Sequence, residues 1–103
     1  MDENSVRICS VSELPEEGGL REISVGKLTL CVGRVEGRIC AVDNECPHHG
    51  GPLAEGIIEN GKVVCPWHAY AFDLITGSCE GSPNMPARVF EVVIVGDDVL
   101  AKL

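Results

Sequence analysis

Two short stretches hold the residues that could do chemistry: Cys46-Pro47-His48-His49-Gly50-Gly51-Pro52-Leu53 and Cys65-Pro66-Trp67-His68-Ala69-Tyr70-Ala71-Phe72-Asp73. Each brings a thiolate and an imidazole within one turn's reach, so together they supply two sulfur and two nitrogen ligands, a complete metal site. Two arrangements use such a set: a mononuclear tetrahedral zinc, or a [2Fe-2S] cluster with both thiolates on one iron and both imidazoles on the other. Structural zinc sites usually pair Cys with Cys and His with His along the chain, whereas each stretch here mixes the two. A mixed loop can send its sulfur and its nitrogen to different irons, which favours the cluster. The spacing leaves the first imidazole open, since His49 would repeat the Cys65-x2-His68 interval and His48 would not.

In these residues the chain resembles the Rieske iron-sulfur proteins, whose ligand pattern is Cys-x-His, an intervening stretch, then Cys-x2-His. The match runs through Cys46-Pro47-His48, the sixteen residues from His49 to Val64, and Cys65-Pro66-Trp67-His68. Gly50-Gly51-Pro52-Leu53, Phe72-Asp73, Thr76-Gly77 and Gly81-Ser82-Pro83 are similar as well, so the likeness is detailed from about Val42 to Pro83. It implies Cys46, His48, Cys65 and His68 as ligands of one [2Fe-2S] cluster per chain, with His49 at a variable position. It implies an all-β fold, an antiparallel sandwich-like base with an inserted cluster-binding subdomain. The implied function is that of a soluble ferredoxin, a one-electron carrier from a flavin reductase to a terminal oxygenase such as an aromatic-ring dioxygenase. Four protein ligands leave no open iron position, so the chain is expected to be an electron-transfer component rather than an enzyme. One alternative is the small subunit of an NAD(P)H-dependent nitrite reductase, partnered by the large subunit; members of that branch often lack the ligands, all of which are present here. A zinc-stabilised binding module is a remote third.

The resemblance also marks what differs. Rieske subunits of the respiratory quinol-oxidising complexes join the two cluster loops by a disulfide, and the matching positions here are Gly51 and Trp67, so that bridge cannot form. High-potential members place a Ser and a Tyr hydroxyl after the second ligand pair, where this chain has Tyr70 and Phe72. Two neutral imidazoles make the oxidised cluster neutral overall, which sets Rieske potentials at roughly -150 to +300 mV against about -400 mV for plant-type ferredoxins. Donors to the sulfurs raise the value within that range. Without those hydroxyls the expectation is a midpoint near or below about -100 mV. Gly50, Gly51, Pro47, Pro52, Pro66 and Pro83 suit loops that must approach the cluster closely and hold their shape, and Trp67 is expected to pack or shield its loop.

The rest of the chain must position these loops. At 103 residues it is expected to form a single domain, 1–103, with the cluster-binding part at about 42–83. No apolar stretch approaches a membrane span, and Met1-Asp2-Glu3-Asn4-Ser5 has neither the basic nor the apolar part of a signal peptide, so a cytoplasmic protein without a membrane partner is expected. Of six cysteines, Cys9, Cys31 and Cys40 lie in apolar stretches and read as small buried hydrophobes, while Cys79 sits among turn residues with no evident role. Sixteen acidic against eight basic residues give a net charge of -8, which argues against nucleic acid as a partner. From Val42 to Pro83, six acids (Asp43, Glu45, Glu55, Glu59, Asp73, Glu80) and one base (Lys62) leave -5, either a solvated surface or a collar that steers a basic redox partner.

Strands are predicted at Val6 to Val11, Leu20 to Val25, Lys27 to Val35 and Arg38 to Val42, with a loop and one helical turn within Ser12 to Gly19 and a turn at Glu36-Gly37. Ile57-Ile58 and Lys62 to Val64 flank Asn60-Gly61, a strong hairpin signal because both positions accept positive φ. Ala69 to Asp73 with Ser78 to Glu80, and Arg88 to Val95 with Val99 to Leu103, are predicted as two further hairpins, the last one closed by Gly96-Asp97-Asp98.

Overall fold

Side-chain alternation along two adjoining strands sets the architecture. In β3 (Leu28–Val35) and β4 (Arg38–Asp43), Leu30, Val32 and Ala41 are buried toward one core, and Cys31, Cys40 and Val42 toward a second core on the opposite face. A strand buried on both faces cannot be an amphipathic edge; it must be a shared wall. The computed structural model describes residues 5–47, 50–67, 70–79 and 85–103.

Around this wall, β1 (Ser5–Ser10), β2 (Leu20–Val25), β8 (Val89–Val95) and β9 (Asp98–Lys102) complete a six-stranded antiparallel sheet in the order β1-β9-β8-β4-β3-β2. The sheet curls, so that Ile8 and Cys9 of β1 and Ile23 of β2 meet Leu30, Val32, Phe90 and Val99 in one interior. Leu30, Val32 and Val99 are wholly buried. Each such side chain contributes roughly 1.5–3 kcal/mol of burial.

A three-stranded sheet of β5 (Ile57–Glu59), β6 (Lys62–Val64) and β7 (Ala71–Asp73) packs on the other face of the wall. Its Val63 and Phe72, with Leu74 just beyond β7, join Cys31, Cys40, Val42 and Leu53 in the second core. Gly33 of β3 lets this layer come close, because a Cβ there would stand 3.2 Å from both Ile58 Cδ1 and Leu74 Cδ1.

The turns follow the residues expected to make them. Asn60 and Gly61 both have positive φ (53° and 78°) between the paired Glu59 and Lys62, the twist that suits a two-residue hairpin. Glu36 and Gly37 do the same between β3 and β4, and the Glu17 carboxylate accepts both of their amide hydrogens. The helical turn expected after β1 is a 3-10 turn, Val11–Glu13. Val11 therefore belongs to that turn and not to the strand, because the Glu13 carboxylate draws in the Ser10 amide and hydroxyl and ends the extended run.

Three expected boundaries are corrected. Lys27 lies in the β2–β3 turn, the last ladder pair being Val25 with Leu28. The final hairpin turns over Gly96 and Asp97, with Asp98 already paired to Val95 in β9. The predicted Ala69 to Asp73 hairpin with Ser78 to Glu80 reduces to β7 and a single bridge from Phe72 to Cys79; Ala69 and Glu80 lie outside the described residues. The Asp73 carboxylate binds the amides of Ile75 and Thr76, and so folds the chain into a tight turn rather than a ladder.

Candidate metal centre

The first loop leaves the end of β4 and is anchored by Asn44, the one polar residue that is buried among those described. Its backbone N–H donates to Thr29 O, its carbonyl accepts from the Leu53 amide, its side-chain oxygen accepts from the Ala54 amide at 2.7 Å, and its side-chain nitrogen donates to Glu22 at 2.9 Å. A single residue, through its backbone and its side chain, thus ties the start and the end of the loop to β2 and β3. Between them the loop closes on itself: Cys46 N–H donates to Gly51 O, Gly50 N–H donates to Cys46 O, and Glu45 bridges Pro52. Gly50 makes that reversal at φ 75°, where a side chain would be strained.

The second loop runs from the end of β6 to the start of β7 and is closed by Cys65 N–H donating to Tyr70 O at 2.8 Å. The β6–β7 pairing of Val64 with Ala71 fixes its two ends at adjacent positions. Beyond it, Gly77 is required by both conformation and space: its φ is 80°, a Cβ there would lie 2.3 Å from Ala87 O, and the Ala87 N–H donates to Gly77 O at 2.8 Å.

These two closures bring Cys46 and Cys65 together. Both are buried, and their thiols are within hydrogen-bonding distance of each other. Burial pushes the Cys65 thiol up, the Trp67 backbone N–H that donates to its sulfur works in the opposite direction, and the Cys46 thiol pushes it up again. Two sulfurs meeting at the base of two loops, with an amide donor already aimed at one of them, fit a centre that takes both thiolates on one metal ion. Two features leave room there. Gly51 has no side chain at a point where a Cβ would be 3.1 Å from Cys65 Sγ, and an open cleft of about 450 Å³ runs beside Cys46, Pro47 and Gly50. His48, His49 and His68 lie outside the described residues, as do Gly81, Ser82 and Pro83.

The remaining cysteines divide as expected. Cys9, Cys31 and Cys40 are buried and free, and burial pushes the Cys31 thiol up to about 12, so it stays protonated and packs as a hydrophobe. Cys79 is buried too, in the core beneath the two loops, opposite Phe72. Phe72 is wholly enclosed and brings no hydroxyl to this region.

Sequence reasoning missed two participants. Asn44 stands between Asp43 and Glu45 in a run of polar residues, and nothing in that run signals which side chain turns inward. Arg88, far along the chain, joins Asp43, Glu45 and Pro86 in lining the cleft beside Cys46, with its guanidinium over the Phe90 ring. The acidic flank counted along the sequence is therefore partly balanced in space.

The fold and the paired thiols describe an iron-sulfur protein of the all-β kind, and comparison with known proteins gives its family. Residues 4–96 match the Rieske [2Fe-2S] domain, and the chain belongs to that family; the cofactor it implies is one [2Fe-2S] cluster. The chain is 32% identical over 101 residues to ferredoxin CarAc of Metapseudomonas resinovorans, covering 96% of this chain and 94% of that one. It is 33% identical over 96 residues to apoptosis-inducing factor 3 of Homo sapiens, which covers 92% of this chain but only 16% of the human protein's length. A solved complex of reduced oxygenase and oxidized ferredoxin in carbazole 1,9a-dioxygenase contains a chain that superposes with a TM-score of 0.83 at 30% identity, covering 98% of this chain and 94% of that one. Among the described residues no helix is long and apolar enough to cross a membrane.

Proposed function

We propose that this chain is a Rieske-type ferredoxin, a one-electron carrier between a reductase and a terminal oxygenase. The observation that carries the reading is the contact of the buried Cys46 and Cys65 thiols across two loops, in a chain that resembles ferredoxin CarAc over nearly the whole length of both. Cys46 and Cys65 hold one iron, and His48 and His68 hold the other, with His49 outside the ligand set. The bound cluster supplies one reversible electron at a time.

The chain's own residues do the rest. Asn44 fixes the first loop to the large sheet, the β6–β7 ladder fixes the second, and the Trp67 amide donates to the Cys65 sulfur, where it favours the reduced state. Phe72 adds no donor, in keeping with a midpoint near or below about -100 mV. Residues 42–83 act as a cluster-binding unit within one domain, 1–103. The oxygenase reading is supported by the complex of reduced oxygenase with oxidized ferredoxin that the chain superposes on in part. A cytoplasmic setting is supported by six thiols, none of them joined as a disulfide.

The test is the purified protein. Two irons and two acid-labile sulfides per chain, a red-brown colour and an EPR signal that appears on reduction are expected. Stoichiometric zinc with no labile sulfide, or a midpoint well above zero, would overturn the corresponding part of the proposal. His49→Ala is expected to leave the visible spectrum intact and His48→Ala to abolish it.

A further inference from the structure

Gly51 is a glycine for want of space and not for conformation. Its φ lies outside the left-handed region, so an alanine there would meet no backbone strain. A Cβ at position 51 would instead stand 2.9 Å from Cδ2 and 3.0 Å from Cγ of Trp67, and 3.1 Å from Cys65 Sγ. The bare backbone of the first loop thus lies close against the indole of the second. Trp67 remains 50% exposed, so the ring presents part of its surface to Gly51 and part to water. Apart from this and the meeting of the Cys46 and Cys65 thiols, each loop closes within itself, through Cys46 with Gly50 and Gly51 and through Cys65 with Tyr70.

We propose that Trp67, seated on Gly51, is a positioning residue that clamps the two cluster loops together and covers the Cys65 side of the centre against water. An indole gains by burying a face on another chain segment, and the backbone can come this close only where no Cβ intervenes. The clamp adds a contact between two loops that no disulfide joins, and so helps set the spacing of the Cys46 and Cys65 sulfurs. This rests on the reading of Cys65 as an iron ligand.

Trp67 is the only tryptophan of the chain, so its fluorescence reports the contact directly. The experiment uses the cluster-loaded full chain and four variants: Gly51→Ala, Trp67→Ala, Trp67→Phe and the double variant Gly51→Ala/Trp67→Ala. It measures acrylamide quenching of Trp67 and the rate at which a strong chelator removes iron. Gly51→Ala is expected to make Trp67 more quenchable and to speed iron loss about tenfold, the size of coupling usual for residues in contact. Trp67→Ala is expected to speed it by a similar factor, the double variant to be no faster than Trp67→Ala alone, and Trp67→Phe to stay near the wild type. Losses that multiply in the double variant, or unchanged Trp67 quenching in Gly51→Ala, would overturn the clamp. Cluster retention in Cys65→Ser would overturn the ligand reading instead, while the quenching result would still decide whether Trp67 sits on position 51.

Discussion

The two sheets of this chain are built to different standards. The strands of the large sheet run five to eight residues and enclose a core whose central side chains are wholly buried. Each strand of the small sheet has three residues, and its order comes mostly from turns: Asn60-Gly61, the Asp73 carboxylate, the Gly50 reversal. A three-residue ladder supplies few hydrogen bonds against the entropy of ordering its loops. The lesson is one of division. The large sheet folds on long ladders and apolar burial, whereas the small sheet buries Val63 and Phe72 against the β3–β4 wall but has short ladders, and depends for the order of its loops on whatever binds them.

The largest effect that could break this contrast comes from removing a thiol. Cys46→Ser or Cys65→Ser is expected to lose the cluster entirely while the large sheet stays folded, because metal binding couples to the order of the loops that hold it. Hydrogen exchange should then show amides of residues 57–64 exposed and those of residues 30–43 still protected. Equal protection of both stretches in the iron-free variant would mean that the small sheet stands without its cofactor.

Two leucines sharpen the contrast, since Leu30 and Leu53 are both wholly buried but in different cores. Leu30→Ala should lower global stability by about 2–5 kcal/mol, the usual range for emptying a packed site. Leu53→Ala removes the same atoms from the wall of the cluster loop, and its loss should appear mainly as faster iron release and local opening. Denaturant titration with and without bound iron separates the two outcomes; a Leu53→Ala loss that is the same in both would argue against it.

Asn44 joins the two regions, so its replacement tests the joint. Asn44→Ala leaves the part-buried Ala54 amide without its acceptor, at a cost of about 1 kcal/mol. Asn44→Asp keeps that acceptor but sets a carboxylate against Glu22, the group to which Asn44 now donates. The aspartate variant should therefore improve relative to wild type as pH falls, and the alanine variant should not; parallel pH profiles in thermal melts would refute the role.

How far the sequence alone carried the structure follows the same division. Strand placement was legible in β2, β3 and β4 because alternation and the flanking Gly turns fix a register with a period of two. The alternation of Ile39 and Ala41 against Cys40 and Val42 even foreshadowed a wall with two buried faces. The family was legible because the spacing of Cys and His survives in a linear reading, and of the four residues named as ligands the structure describes Cys46 and Cys65, which meet, while His48 and His68 lie outside the described residues. What failed was tertiary. Ser78 was placed on a strand, yet Asp73 spends its carboxylate on a turn, and only Cys79 meets Phe72. Val93, Ile94 and Val95 form an apolar run that says strand but does not say that all three stay exposed. Asn44, Gly33 and Arg88 were missed because burial, close approach and a charge brought from a distant strand leave no local mark.

The smallest expected effect lies at the far end of the large sheet, in the capping of the 3-10 turn after β1. The Glu13 carboxylate accepts hydrogen bonds from the Ser10 amide and hydroxyl, which hold its pKa below the ordinary glutamate value. A carboxyl whose folded pKa is depressed contributes stability above its unfolded pKa and loses it as pH falls through the folded one. Glu13→Gln keeps an acceptor for both donors, as the capping-box pattern allows, and removes the titration. The variant should thus be slightly less stable than wild type near neutral pH and indistinguishable from it in acid, below the folded pKa of Glu13. Because the site is in the turn after β1 and far in sequence from both metal loops, the rate of iron loss should not change at all; a change there would mean that the two sheets are coupled more tightly than their construction suggests.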